Sequence, residues 1–361
     1  MGVKSFSQVF EPYSEFNYKD FKNKNVVIDA SIEIYRAALG MKFSETLTDA
    51  FGNPTAHINI ILLGVILKLK ANGANQYWIF DYNATRGEPA HNPLKQLELQ
   101  KRKAKRTQAN VKLAELKQNL KSKDKDEMHD QSLFSDESDD DIKLEINKLT
   151  IQEIDKQEKV AFVMKRFYTE DIIFILDMLE IPWMECLPGY DAEQIAAFST
   201  NSKNIFGKKM DYVLTPDPDT LLFGAKKLIK RDIKKKKLFE YDLNDILTKY
   251  DLSQDDFIKI GLILGTDFAN KTPGVGPKTV LKKYKNIELA DDQIAAMNQN
   301  FKRVLSQSEL MDIKINNTEF IPFTNVTKYK LLLDWLQLVK NYNRDRIVKQ
   351  FVKNNLFSEI N

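Results

Sequence analysis

Three short runs of β-branched and aromatic residues, separated by long helical patterns, constrain the fold of this chain most. The runs are 26–30, 77–81 and 211–215. Strand-like runs that alternate with helices are typical of a mostly parallel sheet flanked by helices. Such sheets bind ligands at the carboxyl ends of their strands, so Asp29, Asp81 and Asp217 are expected along one edge. The pattern therefore predicts an α/β fold with a polar site at that edge.

Seven acidic residues follow these and other apolar segments, and together they predict a metal site. They are Asp29, Asp81, Asp191, Glu193, Asp217, Asp219 and Asp267. Their mutual repulsion near the ends of one sheet would be prohibitive without divalent cations between them. Carboxylate oxygens favour Mg²⁺ or Mn²⁺ as the ion. The alternative for each residue is a helix N-cap or a loop position, but five caps would rarely be placed so consistently.

The spacing within each acidic pair predicts its local backbone. Residues two apart on an extended segment point to the same side, so Asp217 and Asp219 are expected to face one ion. Prolines precede both residues, and their fixed backbone angle and missing donor suit a stiff strand end better than a helix. Asp191 and Glu193 would lie about 200° apart on a helix and cannot share one helical face. We therefore expect them at a helix start, after a turn that includes Gly189.

The composition excludes several classes of protein. The chain has 361 residues, 43% of them hydrophobic, which is enough for one large domain or two smaller ones. Cys186 is the only cysteine, so no intrachain disulfide is possible and a reducing, intracellular compartment is expected. The longest apolar run, 60–67, is too short to cross a bilayer. Zinc is not expected, because none of the histidines has ligand spacing with another or with the cysteine. The histidines are His57, His91 and His129.

Basic residues concentrate in two runs, although the net charge is only +3. Residues 95–106 contain six Lys or Arg and residues 226–237 contain eight, so both runs are candidate phosphate-contacting patches. The alternative for either run is a solvated helix face or hairpin. Residues 94–121 are predicted to form one long, charged helix, on which three cations fall within about 20° of a line. These cations are Lys95, Arg102 and Arg106.

Three further segments have clear patterns. Residues 122–142 contain many acids and few apolar residues, which predicts a disordered loop. A second helical stretch is expected over 151–180, and a basic β-hairpin around 232–236.

The segment TPGVGPKT at 272–279 resembles a phosphate loop only superficially. Lys278 does not directly follow a glycine, and the third glycine of a dinucleotide fingerprint is absent. The segment lies between two helical patterns, 254–264 and 277–285. This order matches a helix–hairpin–helix element, whose exposed amides hold a nucleic-acid phosphate. A purely structural turn between helices is the alternative.

These motifs together resemble the flap endonuclease and XPG family of structure-specific 5′ nucleases, over nearly the whole chain. The matching motifs, in the family's order and approximate spacing, are MGVKSF at 1–6, DASIEIY at 29–35, FD at 80–81, DAE at 191–193, DPDTLLFG at 217–224, GTDF at 265–268 and TPGVGPKT at 272–279. The resemblance implies a PIN-like nuclease core with a helical arch and a helix–hairpin–helix element that binds DNA.

The resemblance also implies roles for individual residues. The seven carboxylates are implied to be ligands of two Mg²⁺ ions, for which Mn²⁺ can substitute. Asp191 departs from the family pattern, which usually has Glu there, and the shorter side chain puts a direct metal contact in question. Lys95 and Arg102 are implied to clamp the scissile phosphate from the first arch helix. Tyr35 matches an aromatic on which a nucleobase stacks, with a packed helix tyrosine as the alternative.

Contacts to DNA away from the metals are implied as well. Gly2 matches a residue near the bound DNA, and Arg106 continues the cationic line of the arch. The turn at 272–279 is implied to hold the duplex and a K⁺ ion through backbone groups. Its expected DNA-binding residues are Gly274, Gly276, Lys278 and Thr279.

The resemblance divides the chain into five parts. The expected parts are 1–93 and 166–250 for the nuclease core, 94–165 for the arch, 251–290 for the helix–hairpin–helix element, and 291–361 for a C-terminal helical region.

The function implied by the resemblance is that of a 5′ flap endonuclease, with 5′→3′ exonuclease activity as a further expectation. The expected substrate is branched or nicked duplex DNA with a 5′ flap, cut during replication and repair by a monomer. Its expected location is the nucleus or the site of DNA replication, which for a viral protein is the viral factory. The C-terminal sequence IVKQFVKNNLFSEIN lacks the family's clamp-binding pattern, so recruitment by a sliding clamp is not expected.

Two alternatives remain at this point. A 5′→3′ exoribonuclease has similar metal carboxylates, but such enzymes are far longer and lack the hairpin motif. A non-catalytic nucleic-acid-binding relative would have lost carboxylates, whereas all seven positions are acidic here.

Overall fold

A computed structural model describes most of the chain. The chain divides into two compact units. The described residues are 6–12, 14–40, 47–82, 96–127, 137–232, 235, 237–317 and 326–354. The first unit, here called the sheet unit, comprises Met1–Lys95 and Lys165–Asn361. The second, here called the helical unit, is Gln96–Met164, close to the range expected for the arch. In the described part of the chain, no helix is long and apolar enough to cross a membrane.

One mixed sheet forms the centre of the sheet unit. Its strands are β1 (Ser14–Phe16), β2 (Asn25–Asp29), β3 (Asn75–Phe80), β4 (Trp183–Glu185), β5 (Tyr212–Leu214), β6 (Lys227–Asp232), β7 (Lys237–Asp242) and β8 (Ile315–Asn316). They are ordered β1-β7-β6-β5-β2-β3-β4-β8. The five strands from β6 to β4 pair in parallel, as predicted, whereas β1, β7 and β8 join antiparallel at the two sides.

The central strands β2 and β3 each contain an uninterrupted apolar stretch, as suits a sheet flanked by helices. Val26, Val27 and Ile28 of β2 are fully buried, and so are Trp78 and Ile79 of β3. Strands with both faces covered need continuous rather than alternating hydrophobic sequence. In the observed register, the residue that ends β2, Asp29, lies opposite Ile79 of β3.

Sixteen α-helices are present among the described residues. They are α1 (Phe6–Val9), α2 (Ala30–Gly40), α3 (Ala56–Ile58), α4 (Leu67–Ala71), α5 (Gln96–Glu127), α6 (Glu137–Ala161), α7 (Arg166–Met178), α8 (Ala192–Asn201), α9 (Asp219–Leu222), α10 (Leu243–Tyr250), α11 (Gln254–Leu264), α12 (Val280–Lys283), α13 (Asp291–Ala296), α14 (Gln307–Asp312), α15 (Val326–Asp334) and α16 (Arg344–Lys353). A π-helical segment, Asn59–Ile66, joins α3 to α4.

The helical unit consists of α5 and α6, which ion pairs connect. Lys112 Nζ lies 2.6 Å from a Glu153 oxygen, and Lys117 Nζ lies 2.7 Å from a Glu158 oxygen. Most described side chains of α5 are exposed, as expected for a highly charged helix.

Two sequence predictions for this region need correction. The loop expected over 122–142 is wrong at both ends, since α5 continues through 127 and α6 begins at 137. The intervening residues 128–136 lie outside the described residues. The helical stretch expected over 151–180 is interrupted at 162–165, so that it belongs to two helices, α6 and α7. Runs of acids oppose hydrophobic burial but do not by themselves exclude helix, because Glu and Lys are good helix formers.

Candidate metal-binding site at the sheet edge

Asp29 and Asp81 lie at the carboxyl ends of the two central strands, as the sequence predicts. Asp29 is the last residue of β2, and Asp81 directly follows β3. The two strands are parallel neighbours, with Asp29 opposite Ile79 in the register. Asp29 is buried and Asp81 is partly buried. One edge of the sheet therefore carries both carboxylates.

Backbone amides and a hydroxyl orient these two aspartates. Ile32 N donates a 3.3 Å hydrogen bond to Asp29 Oδ1, so Asp29 also caps the first turn of α2. Ala192 N, at the start of α8, donates a 3.1 Å bond to Asp81 Oδ1. The amide of Asp81 donates to Ser31 Oγ at 2.9 Å. Asp29 therefore has both predicted features: it caps a helix, and it lies at the sheet edge.

The pair Asp217 and Asp219 lies on a turn, so the predicted extended strand end is wrong. Strand β5 ends at Leu214, and Asp219 is the first residue of α9. Asp219 N donates a 3.1 Å hydrogen bond to Asp217 Oδ1, which closes the turn. Pro218 has φ −71° and ψ −12°, a helical conformation. Proline favours the start of a helix as much as a strand end, which explains the wrong prediction.

Thr215 connects this turn to β2. Its Oγ1 accepts a 3.2 Å hydrogen bond from Asp217 N and donates a 3.4 Å bond to Asp29 Oδ2. Thr215 is fully buried, and Asp217 and Asp219 are buried as well. One hydroxyl therefore links two of the predicted ligands, which the sequence motifs did not reveal.

Asp191 and Glu193 occupy a helix start, which confirms their predicted placement. Asp191 precedes α8 in an extended conformation, and Glu193 lies in the first turn. Gly189 has φ +80°, which only glycine adopts readily, and it forms the turn before them. Gln194 Oε1 accepts a 2.9 Å hydrogen bond from Asp191 N. This reciprocal contact is part of a capping box.

Asp267 follows a helix, as the helical pattern over 254–264 predicts. Helix α11 ends at Leu264, and Gly265, with φ +93°, turns the chain before Asp267. Asp267 therefore lies on a turn after a helix, whereas Asp29 ends a strand and Asp81 follows one.

Several of these carboxylates influence the pKa values of the same two groups, Asp29 and Cys186. Burial, and then the charge of Asp81, raise the pKa of Asp29 well above its ordinary value, and Asp217 and Glu33 add to the effect. Burial likewise raises the pKa of the Cys186 thiol, followed by the charges of Asp81 and Asp191. Negative charge thus accumulates at the carboxyl ends of β2, β3 and β4.

The seven carboxylates have the oxygen donors that a divalent cation prefers, although their side chains do not converge on a single position. Among the residues that the structure describes, no three His, Cys, Asp or Glu side chains are arranged so that they could hold an ion. Four of the seven are nevertheless buried, and burial followed by repulsion from Asp81 raises the pKa of Asp29. The four are Asp29, Asp191, Asp217 and Asp219. A hard cation with oxygen ligands is the group that relieves such repulsion.

Glu33 belongs to the same electrostatic environment. It lies within the motif DASIEIY, but the sequence did not predict a role for it. It is 1% exposed, and Arg231 Nη2 of β6 lies 2.6 Å from its carboxylate. Arg36 Nη1 lies 3.2 Å from the other carboxylate oxygen. An acid on the buried face of α2 was the available signal.

The basic hairpin predicted around 232–236 is present as β6 and β7, but several of its cations have acidic partners within the sheet unit. Arg231 pairs with Glu33, as described above. Lys227 Nζ lies 2.9 Å from Glu240, and Lys237 Nζ lies 2.7 Å from Glu15. For these three residues the structure favours a structural role over contact with phosphate.

The remaining predicted site residues lie on other elements or outside the described residues. Tyr35 is on α2 and partly buried. Arg102 and Arg106 are on α5 of the helical unit and partly exposed. Lys95 and Gly2 lie outside the described residues, so their predicted roles stay predictions.

The segment 272–279 forms an exposed turn between α11 and α12. Thr279 N and Val280 N both donate 3.0 Å hydrogen bonds to Gly276 O. Gly274 has φ +72°, and a Cβ atom at Gly274 or at Gly276 would meet open space. The second helix is shorter than predicted, since α12 covers only Val280–Lys283 before a 3₁₀ turn. Lys278 is exposed beside the glycines.

Comparison with known families places all seven carboxylates in recognised regions. The XPG N-terminal domain matches residues 1–109, and the XPG I-region matches residues 182–267. The two regions together cover more than half of the chain.

Curated relatives match over most of the chain. Flap endonuclease 1 of Methanobrevibacter smithii is 25% identical over 364 residues, which covers 97% of this chain and 94% of that protein. Flap endonuclease 1 of Dictyostelium discoideum is 26% identical over 302 residues, or 80% of this chain and 67% of that protein.

Solved structures share the fold. Flap endonuclease-1 from Methanococcus jannaschii is similar with a TM-score of 0.60 and 19% identity, over 99% of each chain. The catalytic core of Rad2 in complex with DNA substrate has a TM-score of 0.58 and 17% identity, over 98% of this chain and all of the other. The fold and the matched regions agree: this chain belongs to the XPG family of structure-specific nucleases.

Proposed function

We propose that this chain is a divalent-metal-dependent 5′ flap endonuclease that acts in DNA replication and repair, with 5′→3′ exonuclease activity on nicked duplexes. The observation that carries the proposal is the gathering of buried carboxylates at the ends of β2 and β3. Asp81 and Asp217 both act electrostatically on Asp29 there. Curated relatives named flap endonuclease support the choice of substrate.

Two Mg²⁺ ions are the proposed cofactors, with Mn²⁺ as a substitute. The residues that would hold them are Asp29, Asp81, Asp191, Glu193, Asp217, Asp219 and Asp267. When bound, such ions supply Lewis acidity and lower the pKa of the attacking water in an in-line displacement at phosphorus. No protein nucleophile is required.

The chain's own groups orient the carboxylates and exclude water from them. The hydroxyl of Thr215 holds Asp29 and the Asp217 amide, while the first turn of α8 holds Asp81 through Ala192 N. Two of these bonds restrict the rotation of the Asp29 and Asp81 carboxylates, and the third fixes the backbone that carries Asp217. Such preorganisation lowers the cost of reaching the reactive geometry.

Cations at residues 95–106 are proposed to act on the phosphate. Lys95 and Arg102 would neutralise the charge that develops on the phosphate oxygens, and Arg106 would contact the strand that leads to it. Tyr35 on α2 would stack against a base next to the cleaved bond.

The exposed turn at 272–279 is proposed to hold the duplex part of the substrate. Its open glycines allow a phosphate to approach the backbone at Gly274 and Gly276, with Lys278 beside them. Thr279 Oγ1 accepts a 3.2 Å hydrogen bond from Gly276 N, so phosphate binding at that amide would replace this contact. A K⁺ ion at this turn, a monomeric state and the absence of clamp recruitment are further parts of the proposal.

A cleavage assay tests the proposal directly. Wild type and Asp217→Ala are compared on a 5′-flap DNA, a nicked duplex and a 5′-phosphorylated RNA, each with Mg²⁺, with Mn²⁺ and with a chelator. We expect wild type to cut the flap best, and Asp217→Ala to lose about 100-fold or more of that activity.

Asp345→Ala is the matched control, because Asp345 is an exposed aspartate on α16. It should cut like wild type. Preference for the RNA would favour the exoribonuclease alternative, and no cleavage of any substrate with either ion would overturn the enzyme assignment.

A further inference from the structure

One segment of the chain, Asn300–Glu309, contacts residues on both sides of Asp191, at Gly189 and Tyr190 before it and at Gln194 after it. This segment lies outside the two regions that match the XPG family, which end at residue 267. Four of its residues contact the turn before Asp191 or the helix after it, directly or through one another. They are Asn300, Arg303, Ser306 and Glu309.

Arg303 holds the turn on the amino-terminal side of Asp191. Its guanidinium carbon lies 3.8 Å from the centroid of the Tyr190 ring, within the range of a cation–π contact. Its Nη1 donates a 3.4 Å hydrogen bond to Gly189 O. Tyr190 is 3% exposed, so the ring is enclosed between Arg303 and the core. The backbone at Gly189 and Tyr190 is therefore fixed by one planar cation.

Arg303 is itself held in place by Glu309. Arg303 Nη2 lies 2.8 Å from Glu309 Oε1. Glu309 also accepts 2.8 Å hydrogen bonds from the amide and the hydroxyl of Ser306, at the start of α14. The backbone hydrogen bond from Ser306 is the largest cause that lowers the pKa of Glu309, to about 2. Glu309 is thus a constant anion that anchors the guanidinium.

Asn300 holds the other side of Asp191 through Gln194. Gln194 Oε1 accepts the hydrogen bond from Asp191 N, and Gln194 Nε2 donates a 2.6 Å bond to Asn300 Oδ1. Gln194 and Asn300 are 7% and 2% exposed. A chain of buried hydrogen bonds therefore runs from the segment to the amide of Asp191.

We propose that Asn300–Glu309 is a positioning element for Asp191, with Arg303 and Asn300 as positioning residues for its carboxylate. This inference rests on the proposed metal-dependent function. An aspartate has one methylene fewer than a glutamate, so the place of its carboxylate depends more directly on the backbone that carries it. Mg²⁺ accepts only near-ideal geometry at about 2.0–2.1 Å, so a small backbone displacement lowers affinity.

Amide hydrogen exchange in the metal-free protein tests the positioning without reference to activity. Arg303→Ala should speed exchange of the Asp191 and Ala192 amides by about 10-fold, since a local opening that costs 1.4 kcal/mol less is tenfold more populated. Arg303→Lys keeps a charge for Glu309 but loses the planar stack, so it should give an intermediate effect.

Lys302→Ala is the matched control, because Lys302 lies on the same segment but pairs with Asp255 at 2.7 Å. It should leave both amides unchanged. Equal exchange in Arg303→Ala and Lys302→Ala would overturn the inference. If Arg303→Ala does not fold, Glu309→Gln and Asn300→Ala provide the same comparison from the two ends of the segment.

Calorimetric titration with Mn²⁺ alone, without DNA, measures the consequence at the metal. Arg303→Ala should weaken binding by about 10- to 100-fold, the usual effect of losing a group that orients a ligand. Combining it with Asp191→Glu completes a double-mutant cycle, in which we expect a coupling of at least about threefold in the dissociation constant. Additive effects would show that residue 303 does not act through residue 191.

The two proposals fail in different ways. A wild-type protein that neither binds Mn²⁺ nor cuts flap DNA would overturn the proposed function, while the exchange experiment would still decide whether Arg303 positions Asp191. A wild type that binds and cuts, with Arg303→Ala equal to Lys302→Ala in every measurement, would overturn the positioning role alone.

Discussion

At the scale of single residues, Asp29 combines burial with repulsion from its neighbours. Its pKa is raised in the folded protein, so the folded state resists its ionisation more than the unfolded state does. The resulting cost is absent at a pH below the ordinary value of 3.8 and grows as pH rises through the raised pKa. At neutral pH the metal-free protein therefore carries a cost that is absent in acid.

Asp29→Asn should therefore stabilise the metal-free protein at neutral pH, raising its unfolding midpoint by about 2 °C or more. The gain should shrink as pH falls towards 4, because Asp29 of the wild type is then protonated as well. Thermal unfolding with a chelator, followed between pH 4 and pH 8, measures the difference.

Saturating Mg²⁺ should reverse the order, since the neutral amide binds the ion less well than the carboxylate. Asp345→Asn, at an exposed position, serves as the control and should change neither midpoint. A midpoint for Asp29→Asn below that of wild type at every pH, without metal, would contradict the argument.

Thr215 provides a second prediction at this scale. Thr215→Val has nearly the same shape, but it removes the acceptor of Asp217 N and a donor to Asp29, both of them buried. We expect a loss of about 1–3 kcal/mol in the free energy of unfolding, the cost of an unmade buried hydrogen bond. Urea denaturation measures it. Thr215→Ser keeps the hydroxyl and should lose much less; equal losses would assign the effect to the methyl group.

At the scale of elements, the sequence predicts the central strands well and the turns poorly. The runs ending at Asp29 and Asp81 were placed correctly because fully buried strands have an unmistakable apolar composition. The turn at Asp217 was missed because proline suits two backbone contexts, whereas the helix before Asp267 was predicted correctly over 254–264. Partnerships such as Arg231 with Glu33 join residues 198 apart, which no local pattern reveals.

The ion pair between Arg231 and Glu33 changes the role expected for the basic hairpin from phosphate contact to stability. Arg231→Ala removes one of the two cations of the buried Glu33 and leaves Arg36, so we expect a loss of about 1.5–3 kcal/mol in the free energy of unfolding, the usual contribution of a hydrogen bond to a charged group. Lys237→Ala on the neighbouring strand breaks an ion pair in which both side chains are about half exposed, and it should cost about 1 kcal/mol or less.

Urea denaturation of the two variants gives the comparison, and DNA affinity gives a second measurement. A mild effect of Arg231→Ala on stability together with a large loss of DNA affinity would show instead that Arg231 contacts phosphate.

At the scale of the whole molecule, ligand binding should couple the sheet edge to global stability. A cation that binds only the folded state stabilises it by about 2.7 kcal/mol at a free concentration of 100 times Kd. We expect Mg²⁺ to raise the unfolding midpoint of wild type and to have little effect on Asp217→Ala. Calorimetric scans across a Mg²⁺ series measure this shift; equal shifts in both proteins would locate the ion elsewhere.

The short outer strands of the sheet have a consequence for self-association. Strand β1 has three residues and β8 has two, so each side of the sheet offers few unpaired backbone groups to another copy. Longer exposed edges are templates for aggregation. We therefore expect the protein to stay monodisperse in concentrated solution, and expect that removing β8, which would uncover β4, promotes intermolecular strand pairing.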